Sequence, residues 1–128
     1  MRLLIAIALL AAAPAAAQMA APAANPTHFV VFNRPGPNFD KARDPAMRET
    51  IMAHYRLYRG MADDGRIIAG GRMAGEPVIG LSVFRADVDR AAIKAMLEAD
   101  PSVKAGITAI EFREWEMQMG GVARAPGR

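Results

Sequence analysis

The chain has 128 residues, of which 52% are hydrophobic and 23% charged, with no cysteine and a formal net charge of +3. This length predicts one compact domain, and the apolar content argues against global disorder. The lack of cysteine excludes disulfides, thiolate metal sites and cysteine nucleophiles, and so small a positive excess without a basic run argues against a nucleic-acid partner.

Residues 1–17 have the pattern of a secretory signal peptide. Arg2 supplies the positive start, residues 3–10 form the apolar segment, and residues 15–17 are the small residues of a cleavage site. The apolar run is too short for a spanning helix, and Pro14 interrupts it. We therefore expect a periplasmic or secreted protein with no membrane attachment after cleavage. A retained N-terminal anchor is the alternative.

The next part of the chain predicts a leader, a strand and a helix. Residues 18–27 are rich in Ala and Pro and lack periodicity, as in a flexible leader. Residues 28–33 are aromatic and β-branched and predict a strand. Asp44 and Pro45 suit the start of a helix, and Gly65 suits its end. The apolar stripe of this helix consists of Met47, Ile51, Tyr55, Tyr58 and either Met61 or Ala62.

The second half predicts a hairpin, a helix and a last strand. Residues 66–73 and 78–84 are strands separated by a Gly- and Pro-containing turn. Asp87 is suited to cap the second helix, and Pro101 stops it because the residue before proline disfavours helical geometry. Residues 107–117 form a long fourth strand.

The predicted order is β-α-β-β-α-β, within a domain spanning 28–118 and followed by a loose tail at 119–128. This order is typical of an α+β ferredoxin-like sandwich, in which two helices cover one face of an antiparallel sheet. The other face carries too many Val, Phe and Trp residues to be left in water. We therefore expect a homodimer that pairs sheet to sheet as a dimeric α/β barrel.

His54 and Asp100 are the candidate acid/base pair. His54 lies beside the apolar stripe of the first helix, where its neutral-range titration suits proton transfer. The topology brings the start of the first helix and the end of the second to the same end of the sheet, so Asp100 could approach His54. The alternatives are a core histidine and a turn-forming Asp before Pro. A helix running unbroken from Pro45 would hold His54 too far away, whereas a separate first turn before Glu49 would not.

Three segments share an order and spacing with a known family. Residues 54–65 read HYRLYRGMADDG, residues 66–71 read RIIAGG, and residues 98–107 read EADPSVKAGI. They resemble the YciI-like (YCII-related) family, respectively its His-bearing helix with an acidic-Gly end, the following strand, and its ADP-x-V-x-A-G signature. The resemblance implies a dimeric ferredoxin-like protein, related in fold to muconolactone isomerase, whose active pair maps onto His54 and Asp100. At least one branch of that family is a dehydrochlorinase acting on a chlorinated hydroxymuconate.

Three further residues are candidate substrate-binding groups. Where the family has Gly-Pro after the second strand's apolar run, this chain has Gly71-Arg72, and a guanidinium there would favour a carboxylate. The alternative is a solvated surface charge. Ser82 is predicted to line a cleft, without the G-x-S-x-G pattern of a nucleophile. Tyr58 is predicted to form a core or cleft wall.

The leading hypothesis is an exported lyase- or isomerase-type enzyme acting on a small carboxylate-bearing molecule by His-Asp acid/base chemistry. No cofactor is expected, and no metal site is predicted because the acidic residues lack a matching ligand cluster. The alternative is a non-catalytic small-molecule-binding or interaction module on the same fold. A haem-binding variant using a histidine ligand is a third, remote interpretation.

Overall fold

A computed structural model of the protein describes residues 25–121. The predicted signal peptide, most of the predicted leader and the end of the predicted tail lie outside the described residues. Within the described range, no helix combines the length and the apolar character needed to cross a bilayer.

The described chain alternates strands and helices as an α+β protein. Two 3-10 turns, Phe39–Arg43 and Pro45–Met47, precede the first helix. The elements are β1 (Thr27–Pro35), α1 (Arg48–Asp63), β2 (Ile67–Met73), β3 (Ile79–Phe84), α2 (Arg90–Glu98), α3 (Pro101–Lys104) and β4 (Thr108–Glu116).

The four strands form one antiparallel sheet in the order β2-β3-β1-β4. β1 and β2 are separated by β3, so the connection through α1 crosses over the sheet as in a split β-α-β unit. The architecture is therefore α+β and compatible with the predicted ferredoxin-like fold.

The core lies between the helices and one face of the sheet. Because side chains alternate along a strand, Phe29 and Val31 point to this face, where Phe29 stacks on Phe112 with ring centroids 5.4 Å apart. Burial of each such side chain contributes about 1.5–3 kcal/mol. Met61 anchors α1 to this core with no exposed surface. His54 precedes Met61 by two helical turns, so it lies on the same face of α1.

The opposite face of the sheet carries apolar side chains together with a charged group, in which Glu111 pairs with Arg34 and Arg113. Val30 and Val83 are paired across β1 and β3 and are buried, whereas Trp115 is 43% and Met73 47% exposed. His28 lies beside Trp115, is buried, and bonds through Nδ1 to the carbonyl of Phe84 at 2.9 Å. This position indicates a structural role for His28.

Two predicted helix starts are wrong in detail. Asp44 accepts from the amide of Ala46, but it caps only the short 3-10 turn, and α1 begins three residues after Pro45, at Arg48. The cap of α2 is Asp89 rather than Asp87: the side chain of Asp89 accepts from the amide of Ala92, whereas the Asp87 carboxylate pairs with Arg85.

A third helix, α3, was not predicted. Pro101 does end the reach of α2, but it also stands at the first position of α3, where its missing N–H costs nothing. The segment between α2 and β4 therefore forms one more helical turn, which places Asp100 and Ser102 beside His54.

Candidate functional site

A cavity of about 570 Å³ lies between α1 and one end of the sheet. α1 contributes His54 and Tyr58 to its wall, and the strands contribute Asn33, Arg72 and Ser82. Its size is within the range of small-molecule sites. Four of the five predicted site residues thus line one cavity, and the fifth lies directly behind His54.

His54 and Asp100 are in direct contact. The Nδ1 atom of His54 is 2.6 Å from Oδ2 of Asp100, which is a short hydrogen bond. The side chain of His54 is 16% exposed and that of Asp100 only 1%. The sequence requires a separate turn before α1 for His54 to reach Asp100, and the 3-10 turn Pro45–Met47 is such a turn. The catalytic role of the His54–Asp100 pair stays a prediction.

Asp100 is held in place by its own helix. Its backbone is extended, and its Oδ1 atom accepts the amide N–H of Ser102 at 2.8 Å, which caps α3. Its other oxygen is left for His54. The turn-forming role and the partnership with His54, which the sequence posed as alternatives, are therefore both present in one carboxylate.

Ser102 is a site residue that the sequence reasoning missed. It is fully buried, and its Oγ atom is 3.1 Å from Nδ1 of His54 and donates to Oγ1 of Thr108 at 3.1 Å. Its hydroxyl therefore contacts the edge of the ring that faces Asp100. Interpreting Asp100-Pro101 as a helix start would have placed Ser102 beside this carboxylate.

These contacts select one tautomer of His54. An ionised carboxylate only accepts hydrogen bonds, so Nδ1 carries the proton that it donates to Asp100. In the neutral ring Nε2 then keeps its lone pair, and no hydrogen bond joins Nε2 to any residue in 25–121. Since His54 lines the cavity, the geometry presents a basic nitrogen to whatever the cavity binds.

Tyr58 connects His54 to the sheet. Its ring centroid is 4.7 Å from that of His54, and its hydroxyl donates to Oδ1 of Asn33 at 2.8 Å. Burial holds the pKa of Tyr58 well above its usual range; the hydrogen bond to Asn33 opposes this shift, and the charge of Asp100 adds to it. Tyr58 is therefore a neutral hydrogen-bond donor near pH 7.

The two arginines of the cavity differ in what they bind. Arg34 is engaged by Glu111, with its guanidinium 2.8 Å from Oε2. Arg72 is exposed and forms no ion pair with the rest of residues 25–121. Arg72 is thus the cation better placed to meet a ligand, as the sequence predicted for a carboxylate.

Ser82 is buried in the cavity wall on β3. In the described part of the chain, no hydrogen bond connects its hydroxyl to a histidine or a carboxylate. It therefore lacks the adjacent base that activates a serine nucleophile. Ser82 contributes shape and polarity to the wall.

Backbone hydrogen bonds hold the end of the sheet beside the cavity. The amide of Gly36 donates to the carbonyl of Ile107, and the amide of Asn38 to the carbonyl of Gly106, both at 2.8 Å. The side chain of Asn38 also donates to Ala105 at 2.9 Å. These contacts connect the segment after β1 to the segment before β4, which begins at Thr108.

No cluster of three or more His, Asp or Glu side chains able to hold a metal ion occurs within residues 25–121. Comparison with known proteins identified no matching family model, curated protein or solved structure. The YciI-like resemblance therefore stays a prediction based on the motifs, and the site is interpreted from its own geometry.

Proposed function

We propose that this protein is a YciI-like enzyme that transfers a proton in a lyase or isomerase reaction on a small carboxylate-bearing molecule. His54 is the acid/base group and Asp100 the residue that positions it. The observation that carries the proposal is the 2.6 Å contact from Nδ1 of His54 to the buried Asp100, on a ring that lines a ligand-sized cavity.

The chemistry follows from the tautomer. Nε2 of His54 takes a proton from a carbon of the substrate, and the buried carboxylate of Asp100 stabilises the imidazolium that forms. In an isomerase step, the proton returns to a different carbon. In a lyase step, the electron pair of the broken C–H bond forms a double bond while the leaving group departs with its own bonding pair. Neither step requires a cofactor.

The other predicted site residues support binding of the substrate. Arg72 supplies a guanidinium that has no ion-pair partner among residues 25–121 and can bind a carboxylate, and Tyr58 supplies an aromatic wall against His54. Ser82 adds a polar group on the floor of the cavity. Apolar and aromatic walls with a few polar groups are typical of small-molecule sites.

Hydrogen–deuterium exchange at carbon tests the proposal with a panel of candidate substrates. Small unsaturated and hydroxy carboxylic acids are incubated with the protein in D₂O, and mass spectrometry detects C–D formation or elimination. We expect turnover of at least one acid, and we expect His54→Gln to abolish it while the circular dichroism spectrum is retained.

Turnover that survives in His54→Gln would contradict the proposed role of His54. Binding of acids without any exchange or elimination would favour the alternative, a non-catalytic binding module on the same fold.

We also propose that the protein is a homodimer, paired through the sheet face opposite the helices. Trp115 and Met73 expose apolar surface on the two edge strands of that face, and Val30 and Val83 lie on the two strands between them. An apolar sheet face of this kind is a common interface between copies of a small domain. Two such sheets facing each other would form a dimeric α/β barrel.

Export is the remaining part of the proposal, and it rests on the pattern of residues 1–17. Protein purified from its native host should have a mass that begins at Gln18, allowing for cyclisation of that glutamine. A mass that retains Met1 would contradict export by cleavage.

A further inference from the structure

One row of residues crosses three strands on the cavity side of the sheet. Asn33 of β1 pairs with Gly80 of β3, and Gly80 pairs with Arg72 of β2. Directly paired residues project to the same face of a sheet, and neighbouring strands are about 4.8 Å apart. Asn33 and Arg72 therefore stand on either side of Gly80, with their backbones roughly 10 Å apart.

Gly80 leaves the middle of this row open. A Cβ atom at this position would lie 3.2 Å from Cβ and 3.5 Å from Nδ2 of Asn33. Any side chain there would occupy the space between the amide and the guanidinium. All three residues of the row line the cavity, so the open position is part of its floor.

The two flanking side chains offer hydrogen-bond donors. Oδ1 of Asn33 accepts the hydroxyl of Tyr58 at 2.8 Å, which leaves the Nδ2 amide group to donate elsewhere. Within residues 25–121, Nδ2 has no acceptor and Arg72 has no anionic partner. An amide donor and a guanidinium on residues that flank one gap can both donate to a single planar anion.

We propose that Asn33, Gly80 and Arg72 form a carboxylate-binding subsite. The carboxylate lies over Gly80, accepts from Nδ2 of Asn33 and pairs with the guanidinium of Arg72. The proposal rests on the proposed function and deepens it, because it assigns the carboxylate of the substrate to this row. Asn33 becomes a specificity-determining residue, and Tyr58 is the positioning residue that orients its amide.

NMR titrations with two acid–amide pairs test this subsite. The probes are benzoate against benzamide and crotonate against crotonamide, so each pair differs in charge and little in shape. We expect saturable shifts of the Gly80 amide with the acids and at least about tenfold weaker binding of the amides.

Variants assign the binding to the row. Asn33→Asp replaces the donor by a like charge, Arg72→Met removes the cation, and Gly80→Ala fills the gap. Each should weaken acid binding at least about tenfold. Arg59→Met is the matched control, since Arg59 is an exposed cation outside this cavity, and it should change the dissociation constant less than about twofold.

The proposal is overturned if neither acid binds, if acids and amides bind equally, or if Arg72→Met and Asn33→Asp behave like the control. Arg72 is exposed, so its variant keeps the test valid even if Gly80→Ala fails to fold. The titrations do not depend on turnover. Acid binding that is weakened by the variants of the row, without deuterium exchange on any acid, would support the subsite and contradict the proposed enzymatic function. Deuterium exchange together with acid binding that the variants leave unchanged would support the enzymatic function and contradict the subsite.

Discussion

Replacing Asp100 separates the two tasks of its carboxylate. Oδ1 caps α3 by accepting from Ser102, while Oδ2 accepts from Nδ1 of His54. Asp100→Asn keeps an oxygen for the cap and turns an amide N–H₂ towards His54. Asp100→Ala removes both. Comparison of the two variants therefore shows whether Asp100 only caps α3 or also binds His54.

The magnitudes follow from these contacts. Loss of an N-cap costs about 1 kcal/mol, and loss of a buried charged acceptor costs about 2 kcal/mol more. Asp100→Ala should therefore lower the free energy of unfolding by about 3 kcal/mol. Asp100→Asn should cost only about 1 kcal/mol, because His54 can move its proton to Nε2 and accept at Nδ1 instead.

Urea unfolding at one fixed protein concentration measures these differences. Asp89 is the matched control, since it caps α2 by accepting from Ala92 at 3.0 Å and has no histidine partner. Asp89→Ala should cost about 1 kcal/mol and Asp89→Asn close to zero. Since Asp100 is buried and Asp89 is exposed, the excess at Asp100 measures the contact with His54 together with the cavity left by a buried side chain.

Long-range ¹H–¹⁵N spectra of the imidazole give the decisive measurement. The wild-type ring should carry its proton on Nδ1, and Asp100→Asn should move it to Nε2. Deuterium exchange on substrate carbon should then fall at least about a hundredfold, since the base at the cavity is lost. An unchanged tautomer in Asp100→Asn, or equal costs for Asp100→Ala and Asp89→Ala, would refute the reasoning.

Three further predictions concern the phenol of the site, the glycines and the assembly. Burial raises the pKa of Tyr58 in the folded protein, so the stability that depends on its protonated phenol is complete below about pH 10 and is lost as the pH rises towards the folded pKa. The free energy of urea unfolding of the wild type should therefore fall above about pH 10 relative to that of Tyr58→Phe. Parallel pH dependences of the two proteins would contradict this. A Cβ on Gly36 would lie 2.3 Å from the carbonyl oxygen of Gly106, so Gly36→Ala should destabilise by at least about 2 kcal/mol. Gly60 lies inside α1 with open space around it, so Gly60→Ala should stabilise by about 0.5–1 kcal/mol; thermal unfolding compares both, and equal signs would refute the assignment. Sedimentation should give twice the monomer mass, and Trp115→Glu should shift it to monomer; a monomeric wild type would reject the sheet-to-sheet dimer.

Local patterns predicted the elements because they depend on neighbours along the chain. Helical spacing identified α1 through Met61, and aromatic and β-branched runs identified β1 and β4. Local patterns failed where two nearby groups competed for one role. Asp87 and Asp89 are both suited to cap α2, and Asp89 is the cap because the helix begins at Arg90.

The contact of His54 with Asp100 was predictable from the topology, because that topology brings the start of α1 and the end of α2 together. Its geometry was not. The extra turn of α3 places Ser102 between His54 and Thr108, and a four-residue helix after Asp100-Pro101 leaves only a weak signal in a sequence.

The sequence by itself thus predicted the four strands and the two longer helices, and it named His54, Asp100 and Arg72 as candidates, since residue type and short-range spacing carry that information. Only the tertiary structure decided which residues share a row across the sheet. The register of β1, β3 and β2 brings Asn33 and Arg72 to the two sides of Gly80. Apolar alternation excludes a shift of one residue, which would turn each side chain to the other face. A shift of two residues would keep every side chain on its face but separate Asn33, Gly80 and Arg72, so the pairing of these three residues was decided by the tertiary structure.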